Sequence, residues 1–561
     1  MSAPAKRPEL VFDGLPTCRP RWAEIATSAD HKDVGRALIV SSLGFLFVAL
    51  VELLLMRLQL AIPENTFLDP VSFNRMLSLY GATAIFLFAI PLALGFFYYV
   101  APLQIGARGT ALPRLGQVGL WLYVAGATVL YAGLLFTPSE AGINPLAPLS
   151  SLAFLPDNGV DAWAAATGLA TLGFVLLAID LVTTLRVRRA PGMVWRRLPV
   201  FSWAAAICSW LLLVIGPVLL AAISMLLIDR NFEGIFFAGG AGGAPLLWQH
   251  LSWIFYTGTY MLVLITALAA IAEIVTALAR KPLFNRGATI GSLVAITLIG
   301  TLAWMQNMLT APIAIGWMYF AMVMSLALIV PFGLVLFNLI ATLVNGTVRL
   351  RAPLLFAAGA IAMISIGLAS EISHSMVALA WRLQHTTDST AATHFALVGG
   401  AVFGGFAALH WWFPKMTGRT MGESLARISF WTMVLGTLLA FAPLFLAGGF
   451  EGQPIDAYKF FGGTGVDTYN LIASIGALIL AAGIVMTLVN AILSREGGTP
   501  AGHDPWGGDS LEWFALSPPD PHNFDLLPDV RSARPLRDIR EAVGHRSGRA
   551  TTLARESQPV A

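Results

Sequence analysis

The chain has 561 residues, of which 57% are hydrophobic and only 12% charged, with a formal net charge of +3. Most of its length would have no polar face to show water, which excludes an ordinary soluble domain and implies a polytopic protein held in a lipid bilayer. The basic residues lie between apolar stretches instead of on one patch, so nothing points to nucleic acid. The two isolated cysteines, Cys18 and Cys208, exclude a disulfide framework and any cysteine-ligated copper or iron–sulfur centre.

The first 30 residues are polar, with no cleavable signal peptide evident. Twelve apolar stretches follow, each long enough to cross a hydrocarbon core of ~30 Å at ~1.5 Å per residue. They fall at 37–59, 76–101, 115–136, 161–185, 200–228, 247–278, 288–309, 317–346, 353–375, 393–414, 427–449 and 468–494. The connections at 107–114, 186–197, 279–286, 349–351 and 415–427 are basic, whereas the loop 137–161 has no Lys or Arg. By the positive-inside rule both termini are expected in the cytoplasm. The expected organisation is an N-terminal cytoplasmic segment (1–36), a twelve-helix membrane domain (37–494) and an extended cytoplasmic tail (495–561) rich in Pro, Gly and Arg. No short internal repeat is apparent. In "GTLAWMQNMLTAPIAIGWMYF" (300–320) two neighbouring amides, Gln306 and Asn307, interrupt an apolar run, where each is costly without a partner.

A helix count leaves a transporter and a redox subunit equally open, and the local text is more specific. "ADHKDVG" (29–35), "FNRMLSLYGATAIFLFAIP" (73–91), "VAPLQIGAR" (100–108), "RAPGM" (189–193), "DRNF" (229–232), "WQH" (248–250), "GGAVFGGFAALHWWFPKMTGR" (399–419) and "DPWGGDSLEWFALSPPDPHNFDLLP" (504–528) run in order along nearly the whole chain. They resemble subunit I of the haem–copper terminal oxidases. The resemblance implies an all-α integral membrane protein with twelve transmembrane helices in the subunit I arrangement. It also implies a low-spin haem, a high-spin haem and a copper ion that together reduce oxygen to water.

Those metals require six imidazoles: two for one haem, one for the other and three for copper. Nine histidines are present, and His31, His503, His522 and His545 lie outside the apolar stretches, leaving His250, His374, His385, His394 and His410. Position deepens the deficit. Gln306 and Asn307 stand where the family carries its adjacent copper histidines. Thr257, Gly258, Thr259, Tyr260 and Met261 stand where the family has a His-Pro-Glu-Val-Tyr run. Tyr80 replaces the low-spin ligand of the second helix, and Ala392 replaces the high-spin ligand of the tenth. Near 447–458, where the family places two arginines for the haem propionates, there is none; the proton-channel lysine matches Val335, and the acidic entrance residue matches Gly109.

The residues that survive each have a plainer reading. Arg57 matches an arginine beside the family's low-spin haem, or snorkels at the end of the first helix, with Glu52 as a partner five residues before it. His394 would be an iron ligand with Tyr80 opposite, since tyrosinate also ligates haem iron, or a buried histidine bonded to a neighbouring carbonyl. His394, Tyr80 and Arg57 are thus the only candidates for a cofactor, a residual low-spin haem; no copper, no metal site and no catalytic residue is expected. His250 and His410 read as helix-packing residues, His385 is left open, and Glu371 with His374 reads as an interfacial polar pair. Gln306 and Asn307 are expected to bond across helices or to trapped water.

Three readings of function result. The leading one is a catalytically silent relative of the oxidase subunit, with a structural, assembly or regulatory role beside other membrane subunits of a respiratory complex, in a bacterial inner membrane. The others are a working terminal oxidase subunit, which needs the six imidazoles, and a conduit for protons, ions or a small apolar molecule lined by Thr257, Thr259, Gln306 and Asn307.

Overall fold

The computed structural model describes residues 27–543; Cys18, His545 and the rest of 1–26 and 544–561 lie outside the described residues. Among the described residues twelve helices are long and apolar enough to cross a membrane, by length and composition. They are α1 (His31–Gln59), α2 (Pro70–Gln104), α3 (Pro113–Leu135), α4 (Gly159–Val187), α5 (Val200–Asn231), α6 (Pro245–Leu278), α7 (Arg286–Met308), α8 (Ile315–Leu343), α9 (Ala352–Ser375), α10 (Thr387–Thr417), α11 (Glu423–Gly449) and α12 (Gly465–Gly497).

Several helices begin earlier than hydropathy suggests, because polar first turns are stabilised by caps instead of by burial. Asp69 accepts from the Ser72 amide at 3.0 Å and Pro70 opens α2, so the polar turn 72–75 is already helical. Thr386 accepts from the Asp388 amide and starts α10 before its apolar run. Two π-helical segments, Thr83–Ala89 in α2 and Val398–Gly404 in α10, follow Tyr80 and His394 within about a turn, and a short helix, Val377–Leu383, joins α9 to α10. Each π-helical turn rotates the remainder of its helix.

Helices that are neighbours in sequence pack together, and α12 closes on α1. Where α11 meets α12 the backbones touch: a Cβ on Gly436 would collide with the Leu480 backbone, and one on Gly476 with that of Ala440. The interior belongs to α2, α6 and α10, whose apolar windows are 89%, 83% and 72% buried, against 28% for α3. These central helices carry Tyr80, Thr257, Ala392 and His394.

The basic connections gather at one end of the bundle with the tail. Residues 499–543, expected to be extended, are mostly irregular up to 534, form a helix over 535–543, and lie packed across that end. Thr499–Pro500 pairs antiparallel with Arg419–Thr420. Asn523 receives the Lys32 ammonium at 2.8 Å and donates both to the His31 ring, at 2.8 Å, and to the Ala107 carbonyl. The fully buried Glu512 accepts from Gln104 at 3.1 Å and Ser510 at 2.9 Å, and burial pushes its carboxyl up against the pull of these bonds. Lys415 donates to the carbonyls of His503, Ala515 and Leu516 and to the Ser517 hydroxyl. The runs 29–35 and 504–528, from opposite ends of the chain, therefore meet in one clamp.

Candidate functional site

The neighbouring amides Gln306 and Asn307 sit in the last, 3-10 turn of α7, Trp304–Met308. Asn307 Nδ2 donates to Thr257 Oγ1 on α6 at 3.2 Å, and Gln306 Nε2 donates to Glu371 Oε2 on α9 at 2.9 Å. The Gln306 carbonyl accepts from Gln384 Nε2 at 2.7 Å. Thr257, Gln306 and Asn307, the positions the resemblance assigns to copper ligands, are thus tied into bonds across helices. Neutral amides and a hydroxyl are poor donors for a copper ion that changes oxidation state. Ala392, at the high-spin position, is fully buried and has no donor atom. Nearby, the Thr259 and Tyr260 hydroxyls are buried without a hydrogen-bond partner.

Replacing both amides by leucine removes the two side-chain bonds, to Thr257 and Glu371, and leaves the Gln384 bond to the main-chain carbonyl of residue 306; each such bond is worth on the order of 0.6 kcal/mol inside a membrane protein. The double variant Gln306→Leu/Asn307→Leu is expected to insert normally and to lose about 1–2 kcal/mol of stability, the excess coming from the Glu371 carboxyl left without its donor. Loss of membrane insertion, measured by fractionation and detergent-extracted yield, would contradict a merely bridging role.

Tyr80 and His394 come together directly. Tyr80 Oη lies 3.0 Å from His394 Nε2, with the two rings nearly parallel at 6.2 Å. His394 Nδ1 lies 2.8 Å from the Thr390 carbonyl, which only accepts, so Nδ1 carries the proton and Nε2 accepts from the tyrosine. This is the neighbouring-carbonyl bond expected of a buried histidine. Phe441 also stacks on the imidazole, at 5.0 Å. An iron with both as axial ligands needs them about 4 Å apart, two bonds of roughly 2 Å each. The pair as arranged does not fit a haem iron, because the one free nitrogen lone pair is already engaged.

Arg57 turns to α12, donating to Asn470 Oδ1 at 3.4 Å, while Asn470 in turn donates to Gln453 at 2.9 Å. Its expected partner Glu52 is not in contact: Glu52 Oε1 accepts from the Tyr131 hydroxyl on α3 at 3.0 Å. Side chains five positions apart on a helix point to different faces, which is why the pairing fails. Glu371 and His374, read as an interfacial polar pair, interact electrostatically, but each makes its hydrogen bond elsewhere. His374 Nε2 bonds Asp388 Oδ1 on α10 at 2.8 Å, and Glu371 bonds Gln306 instead. His250 accepts from the Trp304 indole at 3.2 Å, His410 donates to the Phe406 carbonyl at 2.8 Å and stacks on Phe356, and His385 bonds Thr310 at 2.7 Å. Among the described residues no three His, Cys, Asp or Glu side chains are grouped to hold a metal ion. Sequence reading missed Asp388, Tyr131 and Thr83, whose partners lie on other helices and leave no local spacing signal.

A family model described as cytochrome c and quinol oxidase polypeptide I matches residues 33–479. The chain belongs to that family. Cytochrome c oxidase subunit 1 of Bacillus subtilis (strain 168) is 34% identical over 93% of this chain and 83% of its own length. A putative cytochrome c oxidase subunit 1-beta of Streptomyces coelicolor is 35% identical over 92% of this chain and 90% of its own. A heme-copper oxidase subunit I+III of Aeropyrum pernix is 35% identical over 91% of this chain and 62% of its own. Among solved structures, a heme-copper terminal oxidase dimer superposes with a TM-score of 0.72 over 84% of each chain at 14% identity, which speaks for the shared fold alone. This oxidase polypeptide I relative is an integral membrane protein with the family's twelve-helix architecture.

Proposed function

We propose that this polypeptide I relative is a catalytically silent member of its family, binding neither copper nor a high-spin haem. Its role is structural, assembly-related or regulatory, beside other membrane subunits of a respiratory complex. One observation carries the reading: Thr257, Gln306, Asn307 and Ala392 stand at the four positions that would hold copper and the oxygen-binding iron. The side chains of the first three are engaged with Glu371 or one another. The Tyr80–His394 bond extends the reading to the low-spin haem, which is not expected either. The fold outlives its cofactors because each span satisfies its own backbone hydrogen bonds, and contacts such as Gly436 against Leu480 need no haem.

Partners are supported by the naming of the relatives as subunits, one of them fused with a subunit III. The protein sits in a bacterial inner membrane with both termini cytoplasmic. Maleimide applied from outside is expected to label a cysteine introduced in 137–161 and to spare one in 186–197; the reverse pattern would invert the topology. The function is tested by metal analysis and oxygen uptake of the purified chain. Copper well below one atom per chain and no uptake with a reduced donor are expected; stoichiometric copper or turnover would return the protein to the oxidases.

A further inference from the structure

Glu52 is a carboxyl inside a membrane span, seven residues before the end of α1, or roughly 10 Å at 1.5 Å per residue. It is 4% exposed. Among the described residues no cation lies within ion-pair distance of it, since Arg57 turns to Asn470. Its surroundings are built instead from two other helices. Tyr131 on α3 donates to Oε1 at 3.0 Å, and Thr83, the first residue of the π-helical segment of α2, lies 2.7 Å from the same hydroxyl. Because the tyrosine proton goes to the carboxyl, the threonine hydroxyl donates to the tyrosine oxygen. Phe45 stacks on the Tyr131 ring at 5.7 Å and holds it in place. The second oxygen, Oε2, is buried with no hydrogen-bond partner at all.

A carboxylate with one oxygen unpaired in such a place is heavily penalised, and a carboxylic acid with its proton on Oε2 much less so, because an unpaired hydroxyl costs far less to bury than an unpaired charge. The other titratable groups that face it are Tyr131 on α3 and Tyr80 on α2; Tyr80 also interacts electrostatically with Arg57 and is bonded to His394. Neither tyrosine supplies a positive charge to hold the carboxylate form.

We propose that Glu52, Tyr131 and Thr83 form a proton-binding site within the membrane, in which the Glu52 carboxyl takes up a proton that exchanges with water. The site is independent of the silent reading of the metal centre. A neutral carboxyl in an apolar setting reacts with dicyclohexylcarbodiimide. Its O–H adds across one C=N bond, the oxygen bonding the carbon and the proton going to a nitrogen. An acyl shift to nitrogen then leaves an N-acylurea containing every atom of both partners, with no electron transfer.

The test uses the full chain in phosphatidylcholine vesicles at pH 7. Peptide mass mapping is expected to find Glu52 modified at least about tenfold more than Glu140, which pairs with the Arg75 guanidinium at 2.6 Å. The infrared difference between wild type and Glu52→Gln is expected to contain a carboxylic acid carbonyl band that shifts in deuterated water. Because labelling uses the wild-type chain, it stands even where the variant folds poorly. Carboxylate bands in the difference spectrum, an acid band unmoved by deuterium, or a Glu52 no more reactive than Glu140 would each overturn the proposal.

Discussion

Dithionite-reduced protein exposed to carbon monoxide is expected to give the same absorbance spectrum as the reduced protein without the gas. A carbon monoxide shift requires ferrous iron with an open coordination position, and such an iron must be held from the other side by a protein donor. At the position where the family supplies that donor stands Ala392, fully buried and without a donor atom. The neighbouring helix leaves no slack for a substitute, since a Cβ added at Gly367 would press on the Ala392 carbonyl and the Ala396 amide. Haem content is expected far below one per chain. Any residual absorbance held through His394 would vanish in His394→Ala, because that nitrogen is the one imidazole donor left among the six family positions. A stoichiometric reduced spectrum that shifts with carbon monoxide would refute the silent reading.

Replacing Arg230 is expected to destabilise the protein more than any change at the amide pair. Its guanidinium is fully buried and forms a paired contact with Asp161, Nε to Oδ1 at 2.9 Å and Nη2 to Oδ2 at 3.0 Å. It also donates to the carbonyls of Ser150, Leu155 and Asp157. One side chain on α5 thereby fastens the loop before α4 and the first turn of α4 itself. Arg230→Met leaves the partly buried Asp161 charge with only the Asn231 amide, and three carbonyls without their donor; removing one partner of a buried pair costs about 3–5 kcal/mol, and the lower end applies here. The apparent melting midpoint in detergent is expected to fall by about 5 °C or more. Arg230→Lys keeps the charge without the fork and is expected to recover only part of this loss. The double variant Arg230→Met/Asp161→Asn should be less damaged than the sum of its singles, which a double-mutant cycle measures directly. Midpoints unchanged in Arg230→Met would show that the loop is held by other contacts.

Much of the fold is legible in the amino-acid sequence. A membrane core sets the length of an apolar run, so all twelve spans stand out, and only their capped polar first turns, as at Asp69 and Thr386, escape a reading by hydropathy. The proposed deficit at the metal positions also rests on the sequence, because a ligand is a residue type in a register, and the resemblance puts Gln306, Asn307, Thr257 and Ala392 at those places. The polar tail reads as extended, and neither its helix over 535–543 nor its docking through Asn523, Glu512 and the carbonyls around Lys415 is legible.

The amino-acid sequence by itself thus determined the membrane architecture and the family. Only the tertiary structure decided which polar groups meet. Glu52 was expected at Arg57 and is found with Tyr131; Glu371 and His374, read as a polar pair, make their hydrogen bonds with Gln306 and Asp388. Tyr80 and His394 were placed opposite each other, and the structure shows them bonded at 3.0 Å. The reason is geometric. Membrane length and residue identity are local properties that a sequence carries directly. The partner of a side chain on one helix depends on the rotation and depth of another, which close packing, bulges such as Thr83–Ala89 and interhelical glycine contacts set only when the whole bundle assembles.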